Sequence, residues 1–139
     1  MDSHTHTGGC LCGAVRYRVT ARLRPVVLCH CGQCRRWTGH MVAATAAKLD
    51  RFHIESSANL VWYRASTVAR RGFCRVCGSS LFWQGDAGDY VAILAGTLDG
   101  PTGLTIAQQI YCLDRGDYYP LDPAIPAHDR EGPRVTIPA

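Results

Sequence analysis

Residues 28–39 read LCHCGQCRRWTG. Cys29, Cys31 and Cys34 form a C-x-C-x-x-C run, and one thiol is left over however the other two pair. Three thiolates at such short spacings suit one small cation. Zinc takes thiolates at about 2.3 Å and prefers four ligands in a tetrahedron. Three protein sulfurs leave one corner open, which a catalytic zinc requires. Within the same chemistry the alternative is a structural zinc closed by His30, His40 or an aspartate.

Two further cysteine pairs lie on either side. Residues 9–20 read GCLCGAVRYRVT and residues 71–83 read RGFCRVCGSSLFW. Cys10 and Cys12 open the first, and Cys74 and Cys77 form a C-x-x-C in the second. Gly13 and Gly78 follow directly, allowing tight turns whose amides can face sulfur. The simplest division puts Cys10, Cys12, Cys74 and Cys77 in one closed site. Such a site staples the first strand to one about sixty residues later. Spacing alone leaves open that the C-x-x-C pair completes the triplet instead. Cys112 stands apart and reads as a small apolar core residue.

Between the cysteines the pattern is that of strands. Val15, Tyr17 and Val19 alternate with Arg16, Arg18 and Thr20, the period-2 signature of a half-buried strand, with Cys10 and Cys12 expected on one face at its start. Residues 25–28, 41–47, 49–55, 60–64, 68–73, 90–95 and 104–113 are further strand candidates. Residues 65–67 are a short polar hairpin and residues 98–103 a turn. One helical turn is expected after Cys34, through Arg36. No long stretch of period-3.6 apolar positions occurs, so the fold class is mainly β.

A chain of 139 residues fits one domain and can bury a core without disulfides. The formal charge of +4 is almost all arginine, with Lys48 the sole lysine. Seven thiolates around two divalent ions would leave about +1, which removes most of the case for a nucleic-acid surface. No window approaches the roughly 18 apolar residues of a membrane span. Residues 1–9 have no basic-then-apolar order, so no export signal is expected. Eight cysteines then fit a reducing cytoplasm, where thiols serve metals. Residues 1–8 read as a flexible tail in which His4 and His6 are solvated, residues 9–127 as the domain, and residues 128–139 as an irregular tail.

The ordered set GGCLCGAVRY, CHCGQCRRWTG and RGFCRVCGSSLFW resembles the glutathione-dependent formaldehyde-activating enzyme family, or CENP-V/GFA domain. The resemblance runs from about Gly8 to Pro126, with IYCLDRGDYYPL similar to the family's closing segment. It implies an Mss4-like β-tent of short antiparallel strands and two zinc ions. It implies a structural zinc on Cys10, Cys12, Cys74 and Cys77, and a catalytic zinc on Cys29, Cys31 and Cys34. The implied activity is that of a carbon–sulfur lyase joining a small-molecule thiol, glutathione, to an aldehyde, formaldehyde, to give S-(hydroxymethyl)glutathione. Many relatives carry a histidine where this chain has Gln109, and an amide does not titrate.

Around the triplet, Arg35 and Arg36 are placed to draw in an anionic substrate or to donate to sulfur. Trp37 can wall a pocket or join the core, His30 is a candidate proton carrier, and Gly39 allows a turn. The competing class is a zinc-stapled interaction module using Arg16, Arg18, Arg22 and Arg24 as a basic patch. Few aromatics interleave these arginines, which weakens its nucleic-acid form.

Overall fold

The computed structural model describes residues 4–139. Among them it is mainly β: ten strands in two sheets and one α-helix. The smaller sheet has the order β1 (His6–Gly9), β2 (Arg16–Val19) and β5 (Phe52–Ser56), all antiparallel. The larger joins β3 (Val26–Cys29), β4 (Val42–Lys48), β6 (Leu60–Arg64), β7 (Ala69–Cys74), β8 (Ser80–Gly85), β9 (Tyr90–Leu94) and β10 (Ile106–Ile110). Its order is β10-β3-β4-β9-β8-β7-β6. Every pair is antiparallel except β10 with β3, a parallel pairing the sequence did not lead us to expect.

The alternation in the first strand reads out as the core. Val15, Tyr17 and Val19 are fully buried and pack with Leu81, Phe82, Val91 and Ile93 between the sheets. Tyr17, Phe52 and Phe82 form an aromatic cluster with edge or tilted contacts at 5.1–5.9 Å. Cys10 and Cys74 belong to this same packed cluster.

Three expectations change. Residues 6–9 are not a solvated tail but strand β1, so the domain begins before residue 9; residues 1–3 of the expected tail lie outside the described residues. Pairing with β2 on one side and the Thr7–Asp99 contacts on the other make this glycine-rich stretch a strand. Gly8 allows it, since a side chain there would overlap the Tyr17 phenol. His4 accepts from the Arg22 guanidinium and His6 pairs in register with Val19. Cys10 and Cys12 sit in the turn between β1 and β2, not on the strand. β8 is added: its alternation is broken at Leu81, where the register with β7 shifts, so that Leu81 and Phe82 are both buried.

Residues 128–139 contain no helix or strand but are tied along β10, Tyr111 donating to the Arg130 carbonyl and the Gln108 amide to that of Pro133. No helix among the described residues is long and apolar enough to cross a membrane. The arginines considered as a basic patch have partners: Arg16 with Asp99, Arg18 with Glu55, Arg22 with His4, and Arg24 with the carbonyls of Pro25 and Ala44.

Candidate metal centre

The fold gathers the seven clustered cysteines into two groups. Cys10, Cys12, Cys74 and Cys77 form one, and Cys29, Cys31 and Cys34 the other, with sulfurs within 4.8 Å of one another in each. Among the described residues no histidine or carboxylate joins either group at that distance.

The four-cysteine group is built from two turns. One links β1 to β2, the other β7 to β8. Its sulfurs approach at 3.7 Å (Cys10–Cys12) and 3.8 Å (Cys12–Cys74). A tetrahedron with zinc–sulfur bonds of about 2.3 Å has edges of about 3.8 Å. Amides stabilise the sulfurs: Val15 donates to Cys10 Sγ at 3.2 Å, and Val76 and Cys77 donate to Cys74 Sγ at 3.3 and 3.5 Å. Gly13 and Gly78 do take left-handed turns, but their own amides donate to the Cys10 and Cys74 carbonyls, not to sulfur. Ser79 holds the Cys77 thiol down to about 5, through its hydroxyl and then its amide.

The triplet is built differently. Cys29 ends β3, Cys31 caps a helix, and Cys34 lies in its first turn. The helix, α1, is Gly32–Thr38 and so contains Cys34, where the sequence reading started it later. The Cys31 sulfur takes the place of a capping oxygen, accepting from the Cys34 amide at 3.3 Å. Gly39 closes the helix in the left-handed conformation at φ 87°. Hydrogen bonds from Cys29 and then Cys34 push the Cys31 thiol down to about 2, while the same contacts and burial push Cys29 far up. Three thiolates this close together require a cation.

Both donor sets therefore fit a soft thiophilic ion such as zinc and not a hard oxygen-seeking one.

Two residues near the triplet were missed from sequence, and one of them, Arg71, touches it. Arg71, on β7, is 4% exposed. It directs Nη2 at Cys34 Sγ, 3.6 Å away, donates Nε to Gln33 Oε1 at 2.8 Å, and lies 4.9 Å from the Trp37 ring centroid. Tyr111 follows β10 with φ 54°, the one described non-glycine residue in the left-handed region. Burial, then Glu131 and the charges of Cys29 and Cys31, raise its phenol.

His30 is placed otherwise than a proton carrier. It is 1% exposed, with Nδ1 2.7 Å from the Tyr119 hydroxyl and Nε2 2.9 Å from Gln109 Oε1. An amide oxygen only accepts, so His30 donates from Nε2 and receives from Tyr119. Gln109 in turn donates to the carbonyls of Asp122 and Ile125. Gln109 is thus a buried clamp on the C-terminal segment. Cys112 is buried, as expected of a core residue.

Gly32, Gln33, Arg35, Arg36, Trp37, Tyr63, Ala65 and Arg71 line a groove of about 490 Å³ between α1 and the β6–β7 hairpin. Its lining has three arginines and no carboxylate. Arg35 Nε is buried with no hydrogen-bond partner among the described residues. Trp37 thus walls a groove instead of entering the core. A larger hollow of about 540 Å³, beside Arg24 and residues 131–137, contains none of the cysteines.

The family model described as glutathione-dependent formaldehyde-activating enzyme matches residues 5–114. The chain belongs to this family. A curated relative, named an uncharacterized lyase of Schizosaccharomyces pombe, is 27% identical over 115 residues, covering 82% of this chain and 83% of the relative. A crystal structure of a Rhodobacter sphaeroides protein matches at 30% identity and a TM-score of 0.56, covering 70% of this chain and 91% of that one. Family membership and the lyase-named relative support an enzyme of the lyase class.

Proposed function

We propose that this protein is a zinc-dependent carbon–sulfur lyase that makes or breaks the adduct of a thiol and a small aldehyde. The family points to glutathione and formaldehyde, with S-(hydroxymethyl)glutathione as product. The reaction is redox-neutral. The thiol sulfur forms a bond to the carbonyl carbon, the carbonyl π bond breaks, and the thiol proton ends on oxygen.

One observation carries the reading: three sulfurs gathered without a fourth protein ligand group among the described residues. Cys29, Cys31 and Cys34 would hold the catalytic zinc, and Cys10, Cys12, Cys74 and Cys77 a structural one. A zinc at the triplet would supply an open corner for a soft sulfur ligand and modest polarisation of a carbonyl oxygen. The chain's own work is mainly positioning, which suits addition of two small partners. Arg35 and Arg36 attract an anionic thiol toward the groove beside α1. Trp37 and Tyr63 wall that groove. His30 has both ring nitrogens engaged and serves to hold the closing segment.

The test is exchange spectroscopy on glutathione with ¹³C-formaldehyde, using zinc-loaded protein and Cys31→Ser. We expect faster interconversion of free and adduct carbon with the native chain and the uncatalysed rate with the variant. Equal rates in both, with zinc bound at the triplet of the native chain, would overturn the reading.

A further inference from the structure

We propose that Arg71 is a positioning residue for the three-cysteine centre: it holds Cys34 and supplies the fixed positive charge that lets this centre accept a further anionic sulfur. The proposal rests on the triplet being a metal site.

Arg71 is buried on β7, 37 residues from Cys34 in sequence. A buried guanidinium needs a counter-charge or it is strongly unfavourable. Among the described residues none of the ion pairs involves Arg71. Its contacts are an amide oxygen, an indole face and the Cys34 sulfur. The sulfur is the only one of these that can become an anion. Three thiolates around a divalent ion sum to −1, which the guanidinium cancels. A substrate thiolate in the fourth place then brings the whole to −1 instead of −2. The planar fork matters as much as the charge, since Gln33 and Cys34 are met by different nitrogens of one rigid plane while Trp37 lies beside it.

The four-cysteine group has nothing of the kind. Amides of Val15, Val76 and Cys77 face its sulfurs, and Arg75 next door donates to Asn59 and to no sulfur. A closed −2 site has no further anion to admit and no need of a cation beside it.

The experiment uses the full chain loaded with cobalt(II) as probe, in the native form and as Arg71→Met, Arg71→Lys and Gln33→Ala. Stoichiometry, sulfur-to-cobalt charge-transfer absorption, chelator competition and titration with 2-mercaptoethanol are read for each. The native chain should bind two ions, one of them shifting its spectrum with added thiol. Arg71→Met should keep the four-cysteine ion and lose about tenfold or more in both cobalt and thiol affinity at the triplet. Arg71→Lys should recover part of the thiol affinity, and Gln33→Ala, at an exposed residue, should give a smaller loss of the same kind. Arg71→Met with both affinities within about twofold of native overturns the proposal. Should Arg71→Met not fold, unchanged affinities in both Arg71→Lys and Gln33→Ala overturn it equally. A native chain that binds only the four-cysteine ion defeats the metal reading of the triplet, and this proposal with it.

Discussion

Two sulfur clusters in one small chain are held by opposite means. The four-cysteine group grows from two turns whose buried members, Cys10 and Cys74, are part of the packed core with Tyr17 and Phe82. The triplet sits where β3 runs into α1, outside that core cluster, with Cys29 and Cys31 half-buried. Backbone amides and the Ser79 hydroxyl face the sulfurs of the first; in the second an amide donates to Cys31 and a long-range arginine reaches Cys34. On our proposal, the difference separates a staple whose sulfurs are met by the amides of its own turns from an open site whose charge is balanced by a residue from another strand.

The largest effect should separate the two at once. Cys74→Ser should abolish cooperative unfolding, because structural zinc contributes on the order of 10 kcal/mol to small domains. Cys31→Ser should lose about one zinc per chain and still unfold cooperatively. Metal analysis beside thermal melts followed by circular dichroism checks both. Equal collapse would erase the distinction. Next, Phe82→Ala opens a hole under the four-cysteine end and should cost about 3–5 kcal/mol by urea denaturation. The triplet's metal affinity in that folded variant should stay at the native value.

A smaller effect sharpens the comparison at the triplet's end. Gln109→Ala strips His30 of its acceptor and the Asp122 and Ile125 carbonyls of their donor. It should cost about 1–3 kcal/mol in urea while leaving two zincs bound. Loss of the triplet's zinc would show that the clamp belongs to the metal centre.

The smallest is a pH effect confined to the core. Burial raises the Tyr17 phenol to about 12, against an ordinary value of 10.0. The folded form thus resists an ionisation that the unfolded chain undergoes freely. Stability from this group is intact below pH 10 and is lost between about pH 10 and 12, about 1.4 kcal/mol by pH 11. Tyr17→Phe should flatten that part of the alkaline stability curve. An unchanged slope would place the titration elsewhere.

Much of this was legible in sequence where the signal is local. The Val15–Tyr17–Val19 alternation, the mainly β class and the turn at Gly39 all depend on near neighbours. Spacing made four-and-three the simplest grouping of the cysteines without deciding it; the family resemblance selected that grouping, and the fold assembles it. What stayed hidden depends on distant partners. The stretch HTGG becomes β1 only through β2 and Asp99, and β8 hides its strand character because its register with β7 shifts at Leu81. Nothing near Arg71 marks it as a neighbour of Cys34, and nothing near His30 shows that Tyr119 and Gln109 take both its nitrogens.

The most direct measurement is a zinc-edge anomalous crystal structure of the loaded protein, with and without added thiol. Two ions should appear, one enclosed by Cys10, Cys12, Cys74 and Cys77, the other on Cys29, Cys31 and Cys34 with a fourth ligand that becomes sulfur when thiol is present. A protein side chain in that fourth position, or no ion on the triplet at all, would contradict an open centre and leave only a stapled β scaffold.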